Sequence, residues 1–149
     1  MAGTFSQIYI QVVFAVKGRQ NLIHATHEEE LYRYIAGIIE AKGQKTMMPN
    51  HIHLFVGIKP SISISDLVRD VKNNSSKFIN EKNWIQGKFS WQEGYGAFSY
   101  SKSHIDKVYN YILNQKEHHK NKTFKEEYIG LLDAFKVEYE ERYLFDWLE

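Results

Sequence analysis

The stretch PNHIHLFVGI, residues 49–58, decides the fold and poses the functional question. Read as a strand, it puts His51, His53 and Phe55 on one face and Ile52, Leu54, Val56 and Ile58 on the other, because successive side chains alternate. The aliphatic set belongs in a core, so the two histidines stand together on the opposite face. Two imidazoles in this arrangement can meet one divalent ion, or they can simply hydrogen-bond on a polar face. Metal chemistry needs a third ligand and something for the ion to act on.

The flanking segments supply the architecture. Residues 5–16, FSQIYIQVVFAV, alternate well enough for a long first strand, and HEEELYRYIAGIIEA (27–41) reads as a helix stopped at Gly43. Only Gln44–Met48 separate that stop from Pro49, leaving room for a very short second strand, vestigial or shortened. After Lys59-Pro60, residues 63–83 read as a helix capped by Ser63 or Ser65, with Leu67, Val68, Val71, Phe78 and Ile79 inward. GKFSWQEGYGAFSYS (87–101) reads as an aromatic strand with a turn or bulge at Gly94 and Gly96, followed by helices from Ser103 and Thr123. The order β-α-(β)-β-α-β-α-α predicts a ferredoxin-like (RRM-like) α+β fold, an antiparallel sheet with helices on one face and extra C-terminal helices. Its other face is expected to be free for a ligand. The whole chain, 1–149, is expected to be a single domain, with a core at about 4–120 and an acidic helical tail at about 121–149.

Composition narrows the chemistry. The chain is 43% hydrophobic and 15% aromatic, enough for a real core, and it has no cysteine, so any metal must be held by nitrogen and oxygen. No leader-like N-terminus and no membrane-length apolar run is evident, from which a soluble cytoplasmic protein is expected. The net charge of +1 conceals a polarity: residues 126–149 carry eight acids against Lys136 and Arg142, a balance of −6, leaving +7 on the first 125 residues. A basic body suits a polyanionic partner, although a solvated surface with an acidic terminal helix gives the same balance.

The helix beginning at Ser103 has an apolar stripe of Ile105, Val108, Tyr109 and Ile112, with Tyr111 and Gln115 four residues apart on one flank. On spacing alone these are a half-buried ring and a surface amide as readily as site residues. Together with MPNHIHLFV, however, YILNQ (111–115) resembles the single-tyrosine HUH transposase family, the insertion-sequence-200/605 type and its REP-associated tyrosine transposase relatives. The resemblance spans residues 4–120 and includes TFSQIYIQVVFAV and SWQEGYGAFSYS.

The resemblance implies that His51, His53 and Gln115 ligate a divalent metal, Mg²⁺ or Mn²⁺, and that Tyr111 is a nucleophile. It would cleave and rejoin single-stranded DNA through a 5′-phosphotyrosine, in transposition of an insertion sequence. It also implies a homodimer in which the tyrosine helix can serve the partner's histidines. Single-stranded or hairpin DNA needs cations for its backbone and rings for its bases. Arg69, Lys72, Asn73, Lys77, Lys116, Lys120 and Lys122 are the candidate backbone contacts, with Trp91, Tyr95 and Phe98 as candidate stacking rings. Two other classes fit part of the pattern: a non-catalytic or domesticated single-stranded DNA or RNA hairpin-binding module, and a nuclease that activates water at the same histidines.

Overall fold

The computed structural model describes residues 3–17, 24–49, 53–113 and 124–140. Its elements run β1 (Ile8–Val13), α1 (Ala25–Ala41), β2 (Lys45–Pro49), β3 (His53–Ile58), α2 (Ile64–Lys82), β4 (Gly96–Tyr100), a 3-10 turn (Lys102–His104), α3 (Ile105–Leu113) and α4 (Phe124–Ala134). The four strands form one antiparallel sheet in the order β2-β3-β1-β4. This is the ferredoxin-like arrangement that the element order predicts.

Register assigns the faces. Val12 opposes Leu54 and Ile10 opposes Val56, whereas Val13 opposes His53 and Gln11 opposes Phe55. Directly opposed residues share a face, so Ile10, Val12, Leu54 and Val56 form one apolar surface. Against it α1 sets Leu31, Ile35 and Ile39, and α2 sets Leu67, Val68, Val71 and Ile79, all buried. Each such side chain taken from water contributes roughly 1.5–3 kcal/mol before entropy is charged against it. Ser63 caps α2, its hydroxyl accepting from the Asp66 amide at 3.0 Å, and Asn83 ends the helix in the left-handed region at φ 55°.

Three expectations are corrected here. The second strand is not vestigial: β2 runs for five residues by using Met48 and Pro49 themselves, with a bulge between Thr46 and Met48. Proline is tolerated because β2 is an edge strand and Pro49 is its last residue. Nor is the second sheet face free. Val108 of α3 rests on Phe55, while Tyr128 and Leu132 of α4 join the buried cluster that includes Phe98. The close approach of α4 requires Gly96, since a Cβ there would stand 2.8 Å from the Tyr128 hydroxyl and 3.0 Å from its ring. β1 is also shorter than 5–16, although the chain continues through Phe14 and Ala15 to a single bridge between Val16 and Trp91.

The aromatic block before β4 builds a wall of the core. Phe14, Phe89 and Trp91 stack edge to face with centroids 4.8 and 4.9 Å apart. The Trp91 indole donates to Ser75 Oγ at 2.9 Å, and Gly94, at φ 84°, provides the turn into β4.

Candidate active site around His53

His53 opens β3 on the face covered by α3 and α4, and it is completely buried. Its two ring nitrogens are both engaged. Nδ1 lies 2.9 Å from Gln11 Nε2, and Nε2 lies 2.7 Å from Glu127 Oε1. Gln11 Oε1 in turn accepts from the Tyr100 hydroxyl at 2.8 Å. Because the Gln11 amide nitrogen can only donate, Nδ1 is the acceptor, and Nε2 carries the proton offered to the Glu127 carboxylate. Burial pushes the Tyr100 phenol up to about 12, which keeps it protonated over the working pH range. A chain of buried polar groups therefore runs Tyr100, Gln11, His53, Glu127 through an otherwise apolar layer.

Three different elements hold this chain. Gln11 is in the middle of β1, next to Phe55 in register; His53 is at the start of β3; Glu127 is in the first turn of α4. Val108 seats α3 on Phe55, two residues along the same face from His53, and Tyr111 follows three residues later in that helix. The predicted nucleophile thus belongs to the helix that covers the histidine's side of the sheet. His51, Gln115, Lys116, Lys120 and Lys122 lie outside the described residues, as does the Tyr111 side chain. Among the described residues no three histidine, aspartate or glutamate side chains converge, and the His53–Glu127 pair is what they contribute.

The predicted DNA contacts are placed elsewhere. Arg69, Asn73 and Lys77 are exposed on α2, whose inward side packs on Leu54's face of the sheet, so sheet and helix both stand between them and His53. Arg69 is paired with Asp66 and Asp70 at 3.1 and 3.2 Å, and the hydrogen bond it donates to Asp70 is the main cause of its raised pKa. Lys72 points inward, donating to the carbonyls of Gln92 and Gly94 over the ring of Phe14, and burial lowers it to about 8. Trp91, 7% exposed, is part of the core. Tyr95 is half-buried with its hydroxyl 2.7 Å from Ser65 Oγ, and Phe98 is buried against Phe135. A groove of about 850 Å³ lined by Phe5, Tyr9, Lys45 and Lys59 opens at the Ile8 end of β1, the end remote from His53.

Sequence reasoning missed Gln11 and Glu127. The signal for Gln11 was a lone amide in the run IYIQVV. For Glu127 it was a carboxylate on the same helical stripe as Tyr128, Leu131 and Leu132.

Among the described residues no helix is long and apolar enough to cross a membrane. No curated protein matches the chain. Among solved structures it is similar to the 1.90 Å crystal structure of a candidate transposase from Deinococcus radiodurans R1. The two share 21% identity over 77% of this chain and 95% of that one, with a TM-score of 0.59, a likeness of fold. The profile of the family described as "Transposase IS200 like" matches residues 4–115, from before β1 to beyond α3 and across His53 and Tyr111, and with most of its length so matched the chain belongs to that transposase family.

Proposed function

We propose that this transposase cleaves and rejoins single-stranded DNA with Tyr111 as the nucleophile. The observation that carries the reading is the position of His53, buried on the sheet face that the tyrosine-bearing helix α3 covers. His53, with His51 and Gln115, would hold a divalent ion. The donor chemistry around His53 fits one: imidazole nitrogen beside oxygen donors suits Mn²⁺ better than Mg²⁺ in a chain without cysteine, although Mg²⁺ is the more abundant ion in cells. When bound, such an ion supplies Lewis-acid polarisation of the scissile phosphate.

The chain's own part is nucleophile and frame. The Tyr111 oxygen forms a bond to phosphorus, the bond from phosphorus to the 3′-oxygen breaks, and the phenolic proton is replaced on the departing 3′-hydroxyl through solvent. One phosphodiester becomes another, so the 5′-phosphotyrosine keeps the bond energy and a second 3′-hydroxyl can reverse the step without ATP. A phenol titrating near pH ~10 is a weak nucleophile at neutrality, which is why the site must stabilise charge on the phosphate oxygens. The substrate is single-stranded or hairpin DNA, with Lys116 and Lys120, which follow Tyr111 in the sequence, as its cationic contacts near the site; Arg69, Asn73 and Lys77, on the far side of the sheet from His53, would meet only DNA that runs beyond it. A homodimer would form by extending the sheet at one of its edge strands, β2 or β4.

Labelled single-stranded DNA from candidate element flanks, incubated with the protein and Mn²⁺ and run on a denaturing gel, tests the reading. A protein-linked band is expected, lost at least 100-fold in Tyr111→Phe while DNA binding persists. A band that survives the substitution removes Tyr111 from the mechanism, and cleavage without any protein-linked band points to activated water instead.

A further inference from the structure

Glu127 belongs to neither the signature strand nor the tyrosine helix, and its setting is unlike that of its neighbours. Among the described acids from Glu126 to Glu140, all are exposed except Glu127, which is 4% exposed with its carboxylate on His53. α4 does not need that carboxylate in order to dock. Tyr128 over Gly96, Leu132 in the core and Phe135 against Phe98 and Tyr100 already fix the helix through apolar contacts. An aliphatic residue at 127 would add to them. The carboxylate is instead aimed at the imidazole of His53.

The geometry fits a cation shared with His53. The separation from Nε2 to Oε1 is 2.7 Å. Two donors about 2.1 Å from a six-coordinate ion and adjacent in its shell stand about 3.0 Å apart, so a few tenths of an ångström of opening would admit one between them. The imidazole must then present a lone pair at Nε2 and carry its proton on Nδ1. Gln11 can serve that tautomer as well: a half-turn of its amide places Oε1 to accept from Nδ1–H, and the Tyr100 hydroxyl changes from donor to acceptor of the Gln11 amide. The change moves one proton from Nε2 to Nδ1. The Gln11–Tyr100 pair therefore supports His53 both when it faces Glu127 alone and when the two share an ion.

We propose that Glu127 is a carboxylate ligand of the divalent-metal site at His53, which makes the C-terminal helix α4 part of the catalytic centre. The proposal rests on the metal-assisted reading above and extends it to a residue beyond the family match at 4–115.

The test is Mn²⁺ binding to the full chain without DNA, followed by calorimetry and by loss of the free-ion electron paramagnetic resonance signal. Wild type, Glu127→Gln, Glu127→Ala and His53→Ala are compared, with far-ultraviolet circular dichroism and melting to establish folding. Glu127→Gln keeps an acceptor for Nε2–H while removing the charge, so it tests the carboxylate even if Glu127→Ala does not fold. The expected result is a loss of affinity of at least tenfold in Glu127→Gln, comparable to that in His53→Ala. If Glu127→Gln binds Mn²⁺ within a few-fold of wild type, or more tightly, while His53→Ala does not, the proposal is overturned and the metal reading stands. Wild type and His53→Ala that both fail to bind Mn²⁺ would overturn the two together.

Discussion

His53 and Leu54 are neighbours in sequence, equally buried, and on opposite faces of the same sheet. Leu54's face meets α1 and α2 through a core of aliphatic and aromatic side chains, and its contribution is stability. His53's face also meets helices, but there a histidine, a glutamine, a carboxylate and a phenol are buried in one connected chain. Buried polar chains of this kind seldom stabilise more than well-packed hydrocarbon of the same volume. One face is built from apolar packing, and the other carries a connected polar chain within its packing.

The largest effect should come from exchanging the roles of the two faces. Leu54→Ala should lose about 2–5 kcal/mol in urea unfolding while the folded fraction still forms the DNA adduct. The triple change Gln11→Met, His53→Leu, Glu127→Leu should be as stable as wild type or more so, by about 1–4 kcal/mol, with adduct formation abolished. A large loss of stability in the triple variant would show that the polar chain is structural after all. Next in size, Gly96→Ala should cost about 1–3 kcal/mol by pushing α4 off the second face, with partial recovery in Gly96→Ala, Tyr128→Phe, where the nearest clashing atom is gone. Equal melting of the single and double variants would mean that the clash is relieved in some other way.

The smallest effect is in pH, and its sign differs between the faces. Burial lowers Lys72, on the α2 side, from 10.5 to about 8, so between these values the unfolded chain binds more protons and stability rises with pH. Burial raises Tyr100, on the His53 side, from 10.0 to about 12, so the folded chain holds the phenolic proton longer and that stability is lost as pH climbs from 10 through 12. Urea midpoints at pH 7.5, 9.5 and 11.5 should rise and then fall. Lys72→Met should flatten the rise and Tyr100→Phe should reduce the fall, to which Tyr128, raised by burial to about 12 as well, also contributes, and unchanged slopes would refute the assignment.

Much of this was legible in the chain itself. Alternation in HIHLFVGI assigns Leu54 and Val56 to the helices and His53 to the other face, and the helix at 64–82 with its Ser63 cap follows from local signals that act over one turn. β2 was obscured because Pro49 reads as a break until its place at the end of an edge strand is known. The docking of α4 was obscured for a different reason. An acidic helix reads as solvated when its charges are summed, and only long-range packing reveals that one of them, Glu127, faces inward. Lys72 illustrates the same point: on a helical wheel it is a surface cation, yet the carbonyls of Gln92 and Gly94 draw it under the turn at Gly94.

The pairing of β3 has an evolutionary consequence. A strand whose two faces differ this sharply cannot slip by one position without burying its histidine among the aliphatic residues of α1 and α2 and turning Leu54 toward Glu127. Loss or gain of a single codon within 53–58 should therefore destroy fold and chemistry in one event, whereas the same change in an exposed connection need affect neither. Selection for a stable core alone would be enough to keep the histidine correctly oriented.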